Sequence, residues 1–263
     1  LERRERFADA SMFAGQLSTT YARWGRFGPA ERWQVRAEEL AARSGDPNAV
    51  LDAALTRGGL ESERGNLHEA LEATRRGVEE AERIGNTLCS LVGHFMLGDQ
   101  QLRLGRPADA IDALERSGEL AAYCDAGTFA ALSEAWVAAA RAQAGEGEPD
   151  WEEFDRALRL ARDNGDRLGE GEVHRQRATA LAARPQPDWD AVLADLRTAV
   201  DIFERIEAEP YLARALRDMG MALEVAGRPE PAADALRRAR ALLQRMASPP
   251  RIATDRPPSV PAS

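Results

Sequence analysis

Residues 104–117 read LGRPADAIDALERS and residues 226–239 read AGRPEPAADALRRA, nearly one phrase written twice at a distance of 122 residues. The recurrence belongs to a stride that runs through the chain. Gly25, Gly65, Gly105 and Gly145 stand 40 residues apart; after a copy in which Pro187 replaces the glycine, Gly227 falls back into step, giving spacings of 40, 40, 40, 42 and 40. Seven residues before these positions lie Ser18, Gly58, Gly98, Ala138, Ala180 and Gly220, and twelve after them Ala37, Gly77, Ser117, Ala157, Ala199 and Ala239. Five after the glycines, Ala30, Ala70, Ala110 and Ala232 recur, with Asp150 the exception. A constant period with small residues in fixed places marks a tandem array of one structural unit.

The unit is a helical hairpin. Ala, Leu, Arg and Glu dominate, residues that lose little freedom in a helix, and no run alternates β-branched residues as a strand would. The glycine between the two small sites ends one helix, and Pro29, Pro107 and Pro229 stand where the next begins, a place that tolerates a missing N–H. The small pair lets the two helices approach closely. In the third unit the first helix is expected over Thr87–Leu104 and the second over Pro107–Tyr123, with Leu97, Leu114 and Leu120 as core; Met219, Leu236 and Leu242 play that part in the sixth. Asp46-Pro47, and the PDW phrases at 149–151 and 187–189, read as helix starts capped by Asp with Trp turned inward. The expected architecture is an all-α, right-handed α-solenoid of about six units near 9–46, 47–85, 86–125, 126–166, 167–208 and 209–246. Residues 1–8 are expected to end a helix of an upstream unit, and the Pro- and Ser-rich tail 247–263 to be disordered.

LGDQQLRLGRPADAIDALERS (97–117) and MGMALEVAGRPEPAADALRRA (219–239) resemble the tetratricopeptide repeat, and the likeness covers residues 10–246. The common repeat is about 34 residues long, so a period of 40 implies helices longer by nearly a turn each. Phrases such as AEELAARSGDP (37–47), ARDNGDRLGE (161–170) and above all residues 199–246 further resemble the helical arrays that follow the ATPase of bacterial class III adenylate or guanylate cyclase proteins, or of ATP-dependent transcription activators. That resemblance implies a non-catalytic regulatory module of a larger signalling protein, working in the cytoplasm and binding a partner peptide or its own ATPase module. The alternatives are a ligand-sensing array of a transcription activator and a purely structural adaptor.

Composition narrows the function further. A formal net charge of −9 in 263 residues disfavours general nucleic-acid binding, which needs a basic surface. No stretch of about 18 apolar residues occurs to cross a membrane, and the charged start LERRERFADAS has no signal-peptide core. With no initiator Met, the chain is expected to be a piece of a longer polypeptide that the array closes. Cys89 and Cys124 are too few for a disulfide framework and are expected as buried thiols. The pattern GxxxxGK[ST] is absent, so any ATPase lies outside these residues. His68, His94 and His174 fall on different helices without metal-ligand spacing. GEGEPD (145–150) lacks the acid spacing of a calcium loop. No enzyme, cofactor or metal site is expected.

What remains is a surface. First helices line the concave side of such a solenoid, where extended ligands dock. This places Phe95, Asp99, Leu102 and Arg103 of the third unit in the groove, with His174, Arg177 and Arg184 of the fifth and Arg214, Arg217 and Met221 of the sixth. Guanidinium forks suit carboxylates, so an acidic peptide or a C-terminal carboxylate is one expected ligand. The competing reading pairs these arginines with Glu170, Glu172, Asp218 and Glu224 nearby. Phe95 is open to a core role as well, and Trp24, Trp33, Trp136, Trp151 and Trp189 are expected to pack between units.

Overall fold

A computed structural model describes residues 2–247, with side chains from residue 5 onward. Among these residues there are twelve α-helices and no strand. They form six antiparallel pairs: α1 (Glu2–Arg23) with α2 (Phe27–Ser44), α3 (Pro47–Arg64) with α4 (Leu67–Ile84), α5 (Thr87–Arg103) with α6 (Pro107–Tyr123), α7 (Gly127–Ala144) with α8 (Trp151–Asp163), α9 (Arg167–Ala182) with α10 (Trp189–Arg205), and α11 (Glu209–Val225) with α12 (Pro229–Ala247). Residues 2–8 are continuous with α1 and so share a helix with the first repeat. Of the expected tail, only Ala247 falls within the described residues, as the last residue of α12.

Local chemistry sets the ends of these helices. The Asp46 carboxylate accepts the Asn48 N–H at 2.9 Å with Pro47 opening α3, Asp150 accepts from Glu152, and Asp188 accepts from Asp190 and Ala191. Each bond satisfies donors that a helix start leaves free. Trp151 and Trp189, just inside two of these caps, pack onto core clusters. The connectors 145–150 and 183–188 are longer than the tight turns elsewhere; α8, at 13 residues, is shorter in compensation for the first, whereas α10 keeps 17 and the start-to-start stride of the first helices there lengthens from 40 to 42.

The small positions carry the packing. A Cβ on Gly98 would lie 2.4 Å from Leu114 Cγ, one on Gly77 2.6 Å from Leu55 Cδ2, and one on Gly220 2.6 Å from Leu236 Cγ. Ser18, Ala37, Ser117, Ala180 and Ala199 are wholly enclosed, and the Ser117 hydroxyl donates to the Leu91 carbonyl at 3.1 Å. Each first helix therefore lies hard against its own second helix, and the first helices of successive pairs stand side by side as an inner row.

That row curls until its ends meet. Gly25, at φ +68°, would collide with Met246 Sδ at 2.5 Å if it carried a Cβ, and Phe27 joins the cluster built from α10, α11 and α12. Six pairs thus complete about one turn of the superhelix, a TPR-like helical-repeat solenoid whose concave face is an interior.

Two exposures depart from expectation. Cys124 is exposed at the C-cap of α6 and Cys89 only half-buried, because small side chains, not thiols, occupy the tight helix contacts. Trp24 and Trp33, both in the first described pair, are 42% and 38% exposed. Trp136, in the middle of the array, is buried.

Candidate interior binding chamber

Closure of the superhelix encloses a chamber of about 540 Å³ to which all six first helices contribute: Ala22 and Arg23 from α1, Asp52, Leu55 and Glu63 from α3, Leu88, Phe95 and Met96 from α5, Trp136 from α7, Leu168 and Glu172 from α9, and Tyr211 and Arg214 from α11. A second space of about 340 Å³ opens further along α5, α7, α9 and α11, lined by Leu102, Arg103, Arg175, Trp189, Arg217 and Met221 among others. Volumes of this order suit small ligands and short chain segments.

Between the two spaces lies a layer of charge. Arg214 Nη1 meets Glu63 Oε2 at 2.7 Å, joining α11 to α3 across 151 residues, with the guanidinium 4.2 Å over the Tyr211 ring. Arg175 makes a forked contact with Glu172 at 3.0–3.3 Å and reaches Asp218 at 3.1 Å. Arg103 donates to the hydroxyl and the carbonyl of Ser62, both at 2.6 Å, and lies 3.9 Å from Asp99, which also accepts the Trp136 indole N–H. Burial raises the carboxyls of Glu63 and Glu172, but the positive charges of Arg214 and Arg175 more than offset it, and both pKa values lie below the ordinary range. Arg103 moves the opposite way from its usual value, lowered by burial and by the like charge of Arg214.

The residues singled out from sequence divide accordingly. Phe95, Asp99 and Arg214 line the large chamber, and Leu102, Arg103, Arg217 and Met221 the smaller one. Phe95 is also tied to the core, its ring 5.3 Å from Trp136 and 6.1 Å from Phe129. His174, Arg177 and Arg184 line neither space. His174 is buried with Nδ1 2.7 Å from Asp195, Arg177 forks onto the same carboxylate and reaches Asp155, and Arg184 pairs with Glu148 at 2.6 Å. Burial raises the Asp195 carboxyl, yet His174 and Arg177 together bring it below its usual value. Arg217 is bound to its neighbour Asp218. Six predicted groove residues, Arg103, His174, Arg177, Arg184, Arg214 and Arg217, are each engaged with groups of this chain. Among the named carboxylates, Glu170 takes Arg162 and Arg167, Glu172 and Asp218 take Arg175, and Asp218 also takes Arg217.

Sequence reasoning passed over Asp52, Arg23 and Glu63. Asp52 carried no clear signal: the equivalent place holds Val92 and Leu132 in the next two repeats but Arg214 in the sixth, so a charge there is not an exception. Glu63 carried no local signal, since its partner is four repeats away in the fold's closure.

No family model matches the chain, and no curated protein matches it. Solved structures do. The chain is similar to a Rap protein complexed with competence and sporulation factor, at 13% identity and a TM-score of 0.72, covering 91% of this chain and 65% of that one. It is similar to the Rap conjugation gene regulator of plasmid pLS20 in complex with the Phr* peptide, at 13% identity and a TM-score of 0.71, covering 91% and 63%. A third is aspartyl phosphate phosphatase F from Bacillus subtilis, at 12% identity and a TM-score of 0.68, covering 90% and 60%. The chain spans less than two thirds of each of these proteins. At such identities the likeness establishes the helical-repeat fold and nothing finer. No helix among the described residues is long and apolar enough to cross a membrane.

Proposed function

We propose that this chain is a non-catalytic interaction module that takes a peptide or an extended protein segment into the interior of its superhelix. The observation that carries the reading is the large chamber itself: it is built by all six first helices, with Leu55, Leu88, Phe95, Met96 and Trp136 as apolar wall. Most charges around it are occupied in holding helices together, which suits a receptacle better than a reaction centre. Two structural neighbours were solved with a peptide or factor bound, which supports a peptide as the class of occupant. The wider setting, an array beside an ATPase of a bacterial signalling protein, is part of the proposal and rests on the sequence of 199–246.

Selection from random peptides, offered both free at their ends and as twelve-residue segments displayed with both ends joined to a carrier, tests this. Segments that bind the chain should lose at least tenfold in affinity to Leu88→Arg, which puts a charge on the chamber wall at a residue 56% exposed and so tolerant of change. Val35→Arg on α2, exposed and outside the chamber, should bind as the parent does. Recovery of neither free peptide nor displayed segment, or equal affinity in all three proteins, removes the proposal.

A further inference from the structure

The charged residues lining the large chamber are Arg23, Asp52, Glu63, Asp99, Asp166, Glu172 and Arg214. Five are engaged: Glu63 with Arg214, Glu172 with Arg175, Asp99 with Trp136, and Asp166 as the cap accepting the Gly169 N–H at 2.8 Å. Among the described residues Asp52 and Arg23 form no ion pair, and Asp52 accepts no hydrogen bond. A carboxylate half-withdrawn from water with no partner costs free energy, and burial does push the Asp52 carboxyl above its ordinary value. Thr56 stands beside it facing Gly15, and Cys89 is close enough for the Asp52 charge to raise its thiol; Leu55, Leu88 and Met96 line the same chamber.

The two free charges are held at opposite ends of one apolar wall. α1 and α3 run side by side in the same direction: an added Cβ on Gly15 would lie 3.6 Å from Asp52 Oδ2, and further along Ala22 packs with Leu60. Arg23 lies eight residues beyond Gly15 on α1, which at about 1.5 Å per residue sets the two levels ~12 Å apart. An extended chain covers that distance in about four residues. Asp52 asks for a cation, Arg23 at the exposed mouth asks for an anion, and the wall between them, from Leu55 and Gly59 to Leu60, asks for apolar contact.

We propose that the chamber's occupant is a short free peptide of about four residues, bound by both of its charged ends, with the α-amino group at Asp52 and the α-carboxylate at Arg23. The inference rests on the reading of the chain as an interaction module and narrows it: an internal stretch of a protein has neither charge and is disfavoured. Asp52 selects the amino end because an unpaired carboxylate half-withdrawn from water gains most from a cation that donates hydrogen bonds to it. Arg23 selects the carboxylate by its forked donors.

Affinity capture followed by mass spectrometry tests it, with fully randomised tetrapeptide pools in three forms: free at both ends, N-acetylated, and C-amidated. The parent chain should retain species from the free pool and at least tenfold less from either capped pool. Asp52→Asn should retain free and acetylated peptides alike, at the acetylated level, and Arg23→Gln should treat free and amidated peptides alike. Asp52→Asn is expected to fold at least as well as the parent at neutral pH: a carboxyl whose folded pKa is raised weakens the fold once pH exceeds its unfolded value. A thermal melt checks this, so misfolding cannot account for lost capture. Equal retention of free and capped pools by the parent, or retention of none, overturns the inference. If displayed internal segments bind while free tetrapeptides do not, the interaction module stands and the zwitterionic ligand falls.

Discussion

At Gly98 the requirement is contact: a methyl group would meet Leu114, which is completely enclosed and cannot retreat. Gly98→Ala should therefore cost about 1–3 kcal/mol by overpacking, read as a drop in urea midpoint at unchanged slope. Gly118, on α6, is a contrasting case, since a Cβ there would sit 3.6 Å from Ser133 Cβ, ordinary contact distance. Gly118→Ala should stabilise by about 0.5–1 kcal/mol, because alanine orders more cheaply in a helix than glycine. A gain at Gly98→Ala, or equal losses in the two variants, would show that the close approach of α5 and α6 at Gly98 is not what the geometry indicates. Gly98 was legible from its place in the repeat; Gly118, one residue from Ser117, is outside the pattern and owes its tolerance to space that only the fold reveals.

Between repeats, the turns hold a second ladder. Gly45, Gly85 and Gly165 take positive φ, but the equivalent places between α6 and α7 and between α10 and α11 carry Asp125 at φ 54° and Glu207 at φ 55°. Left-handed backbone is strained for a side chain with a Cβ, less so for Asp than for Glu. Glu207→Gly is expected to stabilise by about 1 kcal/mol and Asp125→Gly by less, measured by thermal melts of the two variants beside the parent. A gain at Asp125 larger than at Glu207 would contradict the strain account. The element pattern was otherwise open to reading: the cap at Asp46, the PDW helix starts and the third pair all follow from residues within a turn of one another.

For the molecule as a whole, the closure of the ring hangs on contacts that link its first and last thirds, chief among them Glu63 with Arg214. Breaking a buried pair by removing one partner strands the other charge, at about 3–5 kcal/mol. Glu63→Gln should lower stability by an amount of that order and, if the pair holds the ends together, widen the particle in solution scattering. A variant that loses stability with an unchanged radius of gyration would place closure elsewhere, at Met246 against Gly25. The pH response has a definite sign. The folded pKa values of Glu63 and Glu172 lie below the ordinary range, so their contribution is complete above about pH 4.3 and is lost as pH falls through the depressed folded values. Acid melts should show the parent losing stability over that window faster than Glu63→Gln does.

Sequence alone determined the stride of 40, the helical hairpin, and the places where small side chains must stand, because each is a short-range demand: a cap, a turn, a contact within one pair. It showed a row of arginines facing inward without showing which were spent. The tertiary structure decided that. Curvature is the sum of small rotations between neighbouring pairs, no one of which is written in any single repeat, and their total brings α11 back to α1 and α3. Once the ends meet, Arg214 finds Glu63, the groove becomes a chamber, and Asp52 and Arg23 are left as its unpaired charges.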